Sequence, residues 1–136
     1  MAVFGKAQYI KRVEDDRLLT GTGGFTDNLS RPNQVHVVLV RSPHAHARIV
    51  SIDTEAAKAM PGVEAVLTGA DLVADNVGTL PTLPIFKRPD GSPMALPPRR
   101  LLAHEKVRFV GEPVAAVIAT SQGAAQAACE AVVVDY

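Results

Sequence analysis

Tryptophan is absent from this sequence, and aromatic residues make up only 4% of it. That leaves no aromatic platform on which single-stranded nucleic acid or sugars could stack. Cysteine occurs once, at Cys129. One thiol closes no internal disulfide, which suits a reducing cytoplasm. Cys129 sits in an alanine-rich run, so a buried, inert thiol is expected there. Net charge is also missing, because 14 Lys plus Arg balance 14 Asp plus Glu. Whole-domain attraction to nucleic acid or to an anionic membrane is therefore not expected. No apolar run approaches the ~18 residues of a membrane span. The N-terminal MAVFGKAQYIKR lacks the apolar core of a signal peptide.

What is present is enough for a core. The 136 residues are 47% hydrophobic. A chain of this size reads as a single domain, 1–136, that buries roughly two-thirds of its unfolded surface. Residues 1–13 are unpatterned and read as an N-terminal arm. EDDRLL at 14–19 forms one helical turn, with acids at its start and Gly21 as a C-terminal cap. TGTGGF lacks the spacing of a phosphate-cradling loop and follows no strand, so it reads as a mobile or tightly turning connection.

Residues 36–53, HVVLVRSPHAHARIVSID, look like the organising stretch. Residues 35–41 are apolar on both alternating faces, which predicts a central strand covered on both sides. Residues 47–53 predict a second strand, making a central hairpin around RSPHAHAR. A helix follows at 54–60, capped by Asp53 or Thr54 and stopped by Pro61–Gly62. A strand at 63–68 and a helical turn from Gly69 complete an α+β pattern.

Residues 73–101 break that pattern, with six of the ten prolines between Pro81 and Pro98. Leu80, Leu83, Ile85, Phe86, Met94 and Leu96 are too many apolar residues for a solvated linker. An interaction arm is favoured over a disordered loop. A strand at 107–110 ends at Gly111–Glu112–Pro113, where a bulge, corner or edge is expected. Residues 114–120 form a second strand apolar on both faces. Ser121 caps a short helix with Ala124, Ala127, Ala128 and Ala131 on one stripe, and a strand at 132–135 closes the chain.

The chemistry-bearing residues do not assemble into a motif. His44 and His46 form an HxH pair, but no Cys, Asp or Glu with ligand spacing lies nearby. Ser42 and Ser121 lack a nucleophile elbow. Asp15 and Asp16 suit a helix start better than acid–base work. Glu112 is better placed, between two apolar strands, yet a structural carboxylate remains the simpler reading. The basic cluster Lys87, Arg88, Arg99 and Arg100 flanks the proline-rich arm. It is a solvated set of charges or a surface for an acidic partner. From the residues alone, no catalytic, metal or cofactor-binding residue is assigned.

Four blocks carry a resemblance: RVEDDRLLTGTGGFTDNL, VRSPHAHARIVSIDTEAAKAMPGVEAVLTGADL, LLAHEKVRFVGEPVAAVIA and AACEAVVVDY. Together and in this order they resemble the opening of the large subunit of molybdenum hydroxylases, the xanthine dehydrogenase, aldehyde oxidase and aerobic carbon monoxide dehydrogenase family. The resemblance implies an α/β hammerhead domain, with a mixed sheet, two or three short helices and a long proline-rich loop. It implies a fragment of a longer subunit, ending near the domain boundary at Tyr136. The parent enzyme would hydroxylate aldehydes or N-heterocycles, or oxidise CO, with a molybdenum–pterin cofactor held by later domains. Iron–sulfur clusters and FAD would sit on partner domains or subunits, and a single cysteine cannot ligate such a cluster here. The fragment itself would be inactive and structural. Arg41, His44, His46, Arg48 and Glu112 then become candidates for interdomain contacts or turn hydrogen bonds. Surface that the rest of the subunit normally covers would be exposed, so the isolated domain is expected to self-associate. The alternative is a freestanding protein-interaction module with the same fold.

Overall fold

The structure, a computed structural model, describes residues 12–136. Most of the expected N-terminal arm lies outside the described residues. The chain divides into two compact units, Met1–Pro32 and Asn33–Tyr136.

In the first unit, helix α1 (Asp15–Leu19) carries Asp15 and Asp16 in its first turn. Gly21 follows at φ +70°. Its N–H donates to the Leu18 carbonyl at 3.2 Å, and that of Thr22 to Arg17 at 2.9 Å. This pair of bonds is a Schellman stop, and its left-handed position is the one glycine fills without strain. A 3-10 turn at Thr26–Asn28 follows. TGTGGF is thus a tight connection closing α1.

The second unit is built on a three-stranded antiparallel sheet of β1 (His36–Arg41), β4 (Val63–Thr68) and β6 (Pro113–Ala119). The order is β1-β6-β4, so β6 is central and β1 is an edge. The central position expected for residues 35–41 is therefore wrong. Val38 and Val40 face the core, but Val37 on the other face stays 57% exposed. Apolarity on both faces here marks a strand with one buried face and one half-open face.

The expected hairpin does not form either. Residues 47–53 split into β2 (Ala47–Arg48) and β3 (Ser51–Asp53), and neither pairs with β1. Instead β2 pairs with β5 (Lys106–Val107), and β3 with β7 (Val133–Asp135). All these pairings are antiparallel, so the expected mixed sheet is not what the described residues build.

Helix α4 (Gln122–Glu130) packs over β1 and β6, with α2 (Glu55–Lys58) beside it. Ser121 caps α4 by accepting the N–H of Ala124 at 3.2 Å. Ala125 and Ala128 are its fully buried residues. Ala127, expected on the buried stripe, faces solvent. The four-residue α2 starts with the Glu55 N–H donating to Asp53 Oδ1 at 3.0 Å, so Asp53 is the capping side chain. Under these helices lie Val66, Ala115, Val117 and Ala119.

The expected bulge is present. Val40 pairs with Ala115 but Arg41 with Pro113, leaving Val114 as the extra residue on β6. Pro113 costs no ladder bond there, since it opens the strand at the bulge. The bulge turns the fully buried Val114 into a second small core with Ala103 and Val107. One strand thereby serves two cores on successive residues.

Helix α3 (Gly69–Ala74) has a capping box. The Thr68 N–H and hydroxyl each donate to Asp71 Oδ2 at 2.7 Å, and the Asp71 N–H donates to Thr68 Oγ1 at 3.4 Å. The Thr68 hydroxyl, then its N–H, hold the Asp71 carboxyl below its ordinary value of 3.8. A lowered folded value contributes stability above the unfolded value that is lost as pH falls through the folded one. Asp71→Asn is therefore expected to flatten the acid side of the stability profile, below about pH 4. At neutral pH it should cost about 0.5–1 kcal/mol, the low end for a cap because the group is exposed. Urea titrations at a series of pH values measure both.

Candidate functional site

The corner after β1 holds the densest polar network of the second unit. Ser42 ends the strand 2% exposed. Its N–H donates to the Glu112 carbonyl at 3.0 Å, and its carbonyl accepts the Gly111 N–H at 2.8 Å. The Ser42 hydroxyl accepts the His44 N–H at 3.0 Å and lies 3.2 Å from the His44 carbonyl. This is a serine turn, with the side chain standing in for a backbone bond ahead of Pro43. Gly111, at φ +85°, allows the facing loop to reverse direction.

Arg41 reaches across the same corner, its Nη1 donating to the Gly111 carbonyl at 2.8 Å. Glu112 is turned inward, its side chain only 13% exposed. It accepts the Arg108 N–H on Oε2 and has the Arg108 guanidinium 3.9 Å from Oε1. That grip on Arg108 ends β5 after Val107, where a strand to residue 110 was expected. The His44 ring meets Tyr136 edge to face, with centroids 4.8 Å apart. His46 and Arg48 are exposed.

Of the five singled-out residues, the fold brings Arg41, His44 and Glu112 to one corner. It leaves His46 and Arg48 on the surface beyond it. Ser42 is the residue that sequence reasoning passed over. A Ser-Pro directly after an apolar strand is the turn signal that could have found it. Chemically the corner holds backbone: its serine is spent on His44, its carboxylate on Arg108. Among the described residues, no group of three or more His, Cys, Asp or Glu side chains is placed to hold a metal ion. Burial, and secondarily Glu130, raise the Cys129 thiol above its ordinary value, and the residue is half-buried, where a buried one was expected. Among the described residues, no helix is long and apolar enough to cross a membrane.

The proline-rich excursion is a narrow antiparallel ribbon. Leu80 bridges Arg99 at its base and Lys87 bridges Pro93 near its tip. The tip is a turn over Pro89–Asp90–Gly91, closed by Arg88 N–H donating to Ser92 O at 2.9 Å. Its prolines supply no N–H, which explains why the two legs meet at two bridges and not along a ladder. A hollow of about 260 Å³ opens between its base and the Arg108–Pro113 loop.

The sequence and the fold both have known relatives. Residues 20–136 match the family model for the "Aldehyde oxidase and xanthine dehydrogenase, a/b hammerhead domain". The nicotine 6-hydroxylase large subunit of Paenarthrobacter nicotinovorans is 43% identical over 130 residues, covering 96% of this chain and 15% of that protein. The carbon monoxide dehydrogenase large chain of Afipia carboxidovorans is 46% identical over 126 residues, covering 93% of this chain and 14% of that protein. Among solved structures, a Cu,Mo-CO dehydrogenase superposes with a TM-score of 0.76 at 46% identity, over 93% of this chain and 15% of that one. Quinoline 2-oxidoreductase from Pseudomonas putida 86 superposes with a TM-score of 0.75 at 41% identity, over 93% of this chain and 15% of that one. The chain thus spans about one-seventh of the length of the relatives it matches. By its sequence and its fold, the chain belongs to the α/β hammerhead domain family of aldehyde oxidases and xanthine dehydrogenases.

Proposed function

We propose that this chain serves as a structural, non-catalytic domain of a molybdenum-dependent hydroxylase large subunit. The observation that carries the reading is the match itself. Nearly the whole chain aligns with a small part of several large chains whose names denote oxidative chemistry on CO, nicotine and quinoline. The corner geometry supports the same reading, because its polar groups are committed to one another. Arg41, His44, His46, Arg48 and Glu112 are proposed to orient the domain and its turns against the rest of the subunit.

A molybdenum–pterin cofactor would supply the redox step of such an enzyme. Among the described residues no group of three or more His, Cys, Asp or Glu side chains is placed to hold a metal ion, and no step of that chemistry is assigned to them. Iron–sulfur and flavin groups would likewise belong to other domains or subunits, which are this chain's proposed partners.

The test is direct. After expression in a host that makes the cofactor, the purified chain is expected to carry no molybdenum by elemental analysis. It should reduce no dye with aldehyde, N-heterocycle or CO as the donor. Stoichiometric metal together with substrate-dependent turnover would place catalysis in this chain and end the structural reading.

A further inference from the structure

The base of the proline-rich ribbon carries an open surface. The roughly 260 Å³ hollow there has an apolar wall of Leu80, Pro97, Pro98, Leu101 and Phe109. Phe109 is 56% exposed and Leu101 46% exposed. A second hollow of about 130 Å³ shares Pro98, Arg100 and Arg108 with the first and runs on to His104. The two therefore adjoin as one groove, in which Arg99, Arg100 and Arg108 stand with Glu112 in the first hollow and Glu105 in the second.

The ribbon and the groove together are net basic. Lys87, Arg88, Arg99, Arg100 and the groove-lining Arg108 stand against Asp90 on the ribbon and Glu105 and Glu112 in the groove, five basic residues to three acidic. Asp90 is tied into the tip turn by the Ser92 N–H at 2.9 Å and the Ser92 hydroxyl at 2.7 Å. Among the described residues, neither Arg99 nor Arg100 has a carboxylate within salt-bridge distance. Arg108 is met by Glu112 at 3.9 Å. Arg99 and Arg100 both line the hollow, and neither is in an ion pair among the described residues, so they match an anion that brings apolar surface with it.

We propose that this groove docks an acidic polypeptide segment anchored by one bulky apolar side chain. The anchor fills the hollow against Phe109 and Leu101, and flanking carboxylates meet Arg99 and Arg100. A polypeptide fits better than a small anion because the groove runs through two hollows. The same ribbon also carries exposed apolar side chains, Leu83, Ile85 and Phe86, at 75%, 74% and 71% exposed. The prolines at the base offer no N–H groups, so recognition rests on guanidinium groups and apolar contact, not on strand addition. The proposal does not depend on the family reading.

The absence of tryptophan from the chain makes a clean test available. The probe is a short Asp/Glu-rich peptide with one central tryptophan, titrated with the chain at low salt and followed by indole emission. Binding with a blue shift is expected, and it should weaken as salt rises. Arg100→Glu should weaken it about tenfold, and Phe109→Ala several-fold. Lys58→Glu, the same change in net charge at a remote helix, should leave it unchanged. Circular dichroism checks that each variant is folded. No binding overturns the proposal, as does an equal loss in Lys58→Glu and Arg100→Glu. Equal affinity for the tryptophan-free peptide, measured by its displacement of the tryptophan probe, would mean charge alone. Equal affinity for indole-3-acetate would mean a small-anion hollow. Self-association that Arg100→Glu abolishes in sedimentation would put a second copy there instead. Each of these three results also overturns it.

Discussion

Gly69→Ala should destabilise this domain by about 3 kcal/mol or more, beyond the usual cost of one added methyl group. A Cβ at Gly69 would stand 2.2 Å from the Ala103 carbonyl oxygen, 2.7 Å from its carbon and 2.8 Å from the His104 Cα. These are backbone atoms, so no side chain can swing aside. The facing segment is itself pinned, since the Ala103 N–H donates to the Pro113 carbonyl at 2.7 Å and Leu102 and Ala103 are buried. Either α3 lifts off with its capping box, or residues 102–104 leave the second core. Helix propensity pulls the opposite way, because alanine beats glycine inside a helix by up to about 1 kcal/mol. The sign therefore decides between the two effects. Urea denaturation of the purified variant measures it, and a stabilised Gly69→Ala would mean that the close approach does not exist.

The second large effect belongs to Val117. It is fully buried at the middle of β6, with Val38 opposite it on β1 and Val66 on β4. These three valines form one row across the sheet, under Ala125 and Ala128 of α4. Val117→Ala removes two methyl groups from that row and leaves a cavity that the flanking strands cannot close. The expected cost is about 2–3 kcal/mol. Val37→Ala, one residue from Val38 but on the half-open face, should cost less than about 1 kcal/mol, because much of that side chain is already in water. Set beside Val38→Ala, which should cost more, it tests the register: a one-residue slip of β1 would exchange which of Val37 and Val38 faces the core and reverse their ranking.

The local signals of this chain were legible and the long-range ones were not. The strand at 63–68, the Ser121 cap, the Gly21 stop and the irregularity expected beside Gly111–Pro113, found as a bulge at Val114, each rest on a few neighbouring residues. Each is found in place. What failed was pairing. Residues 36–53 look like a hairpin because two apolar runs flank a turn. Their real partners lie far along the chain, at 113–119, 106–107 and 133–135. Periodicity reports which side chains face alternate sides, not which strand lies alongside. The helix stripe took in Ala127 and missed Ala125 for a related reason. All the alanines of α4 look alike, and only the position of β1 and β6 beneath selects Ala125 and Ala128. At the candidate site, the residue types around Ser42 were visible. That they are spent on one another depends on a loop some seventy residues away, as the span from Arg41 to Gly111 shows.

The central claim is that this chain is a hammerhead domain built to sit inside a larger hydroxylase. The most direct measurement is a domain exchange. The carbon monoxide dehydrogenase large chain of Afipia carboxidovorans, 46% identical over the shared segment, would have that segment replaced by this chain. Activity is then compared with the intact large chain and with one from which the segment is deleted, each assembled with its natural partners. The account predicts a chimera that assembles and retains substantial CO-dependent dye reduction, while the deletion loses it. A chimera no more active than the deletion, with this chain folded normally on its own, would contradict the claim.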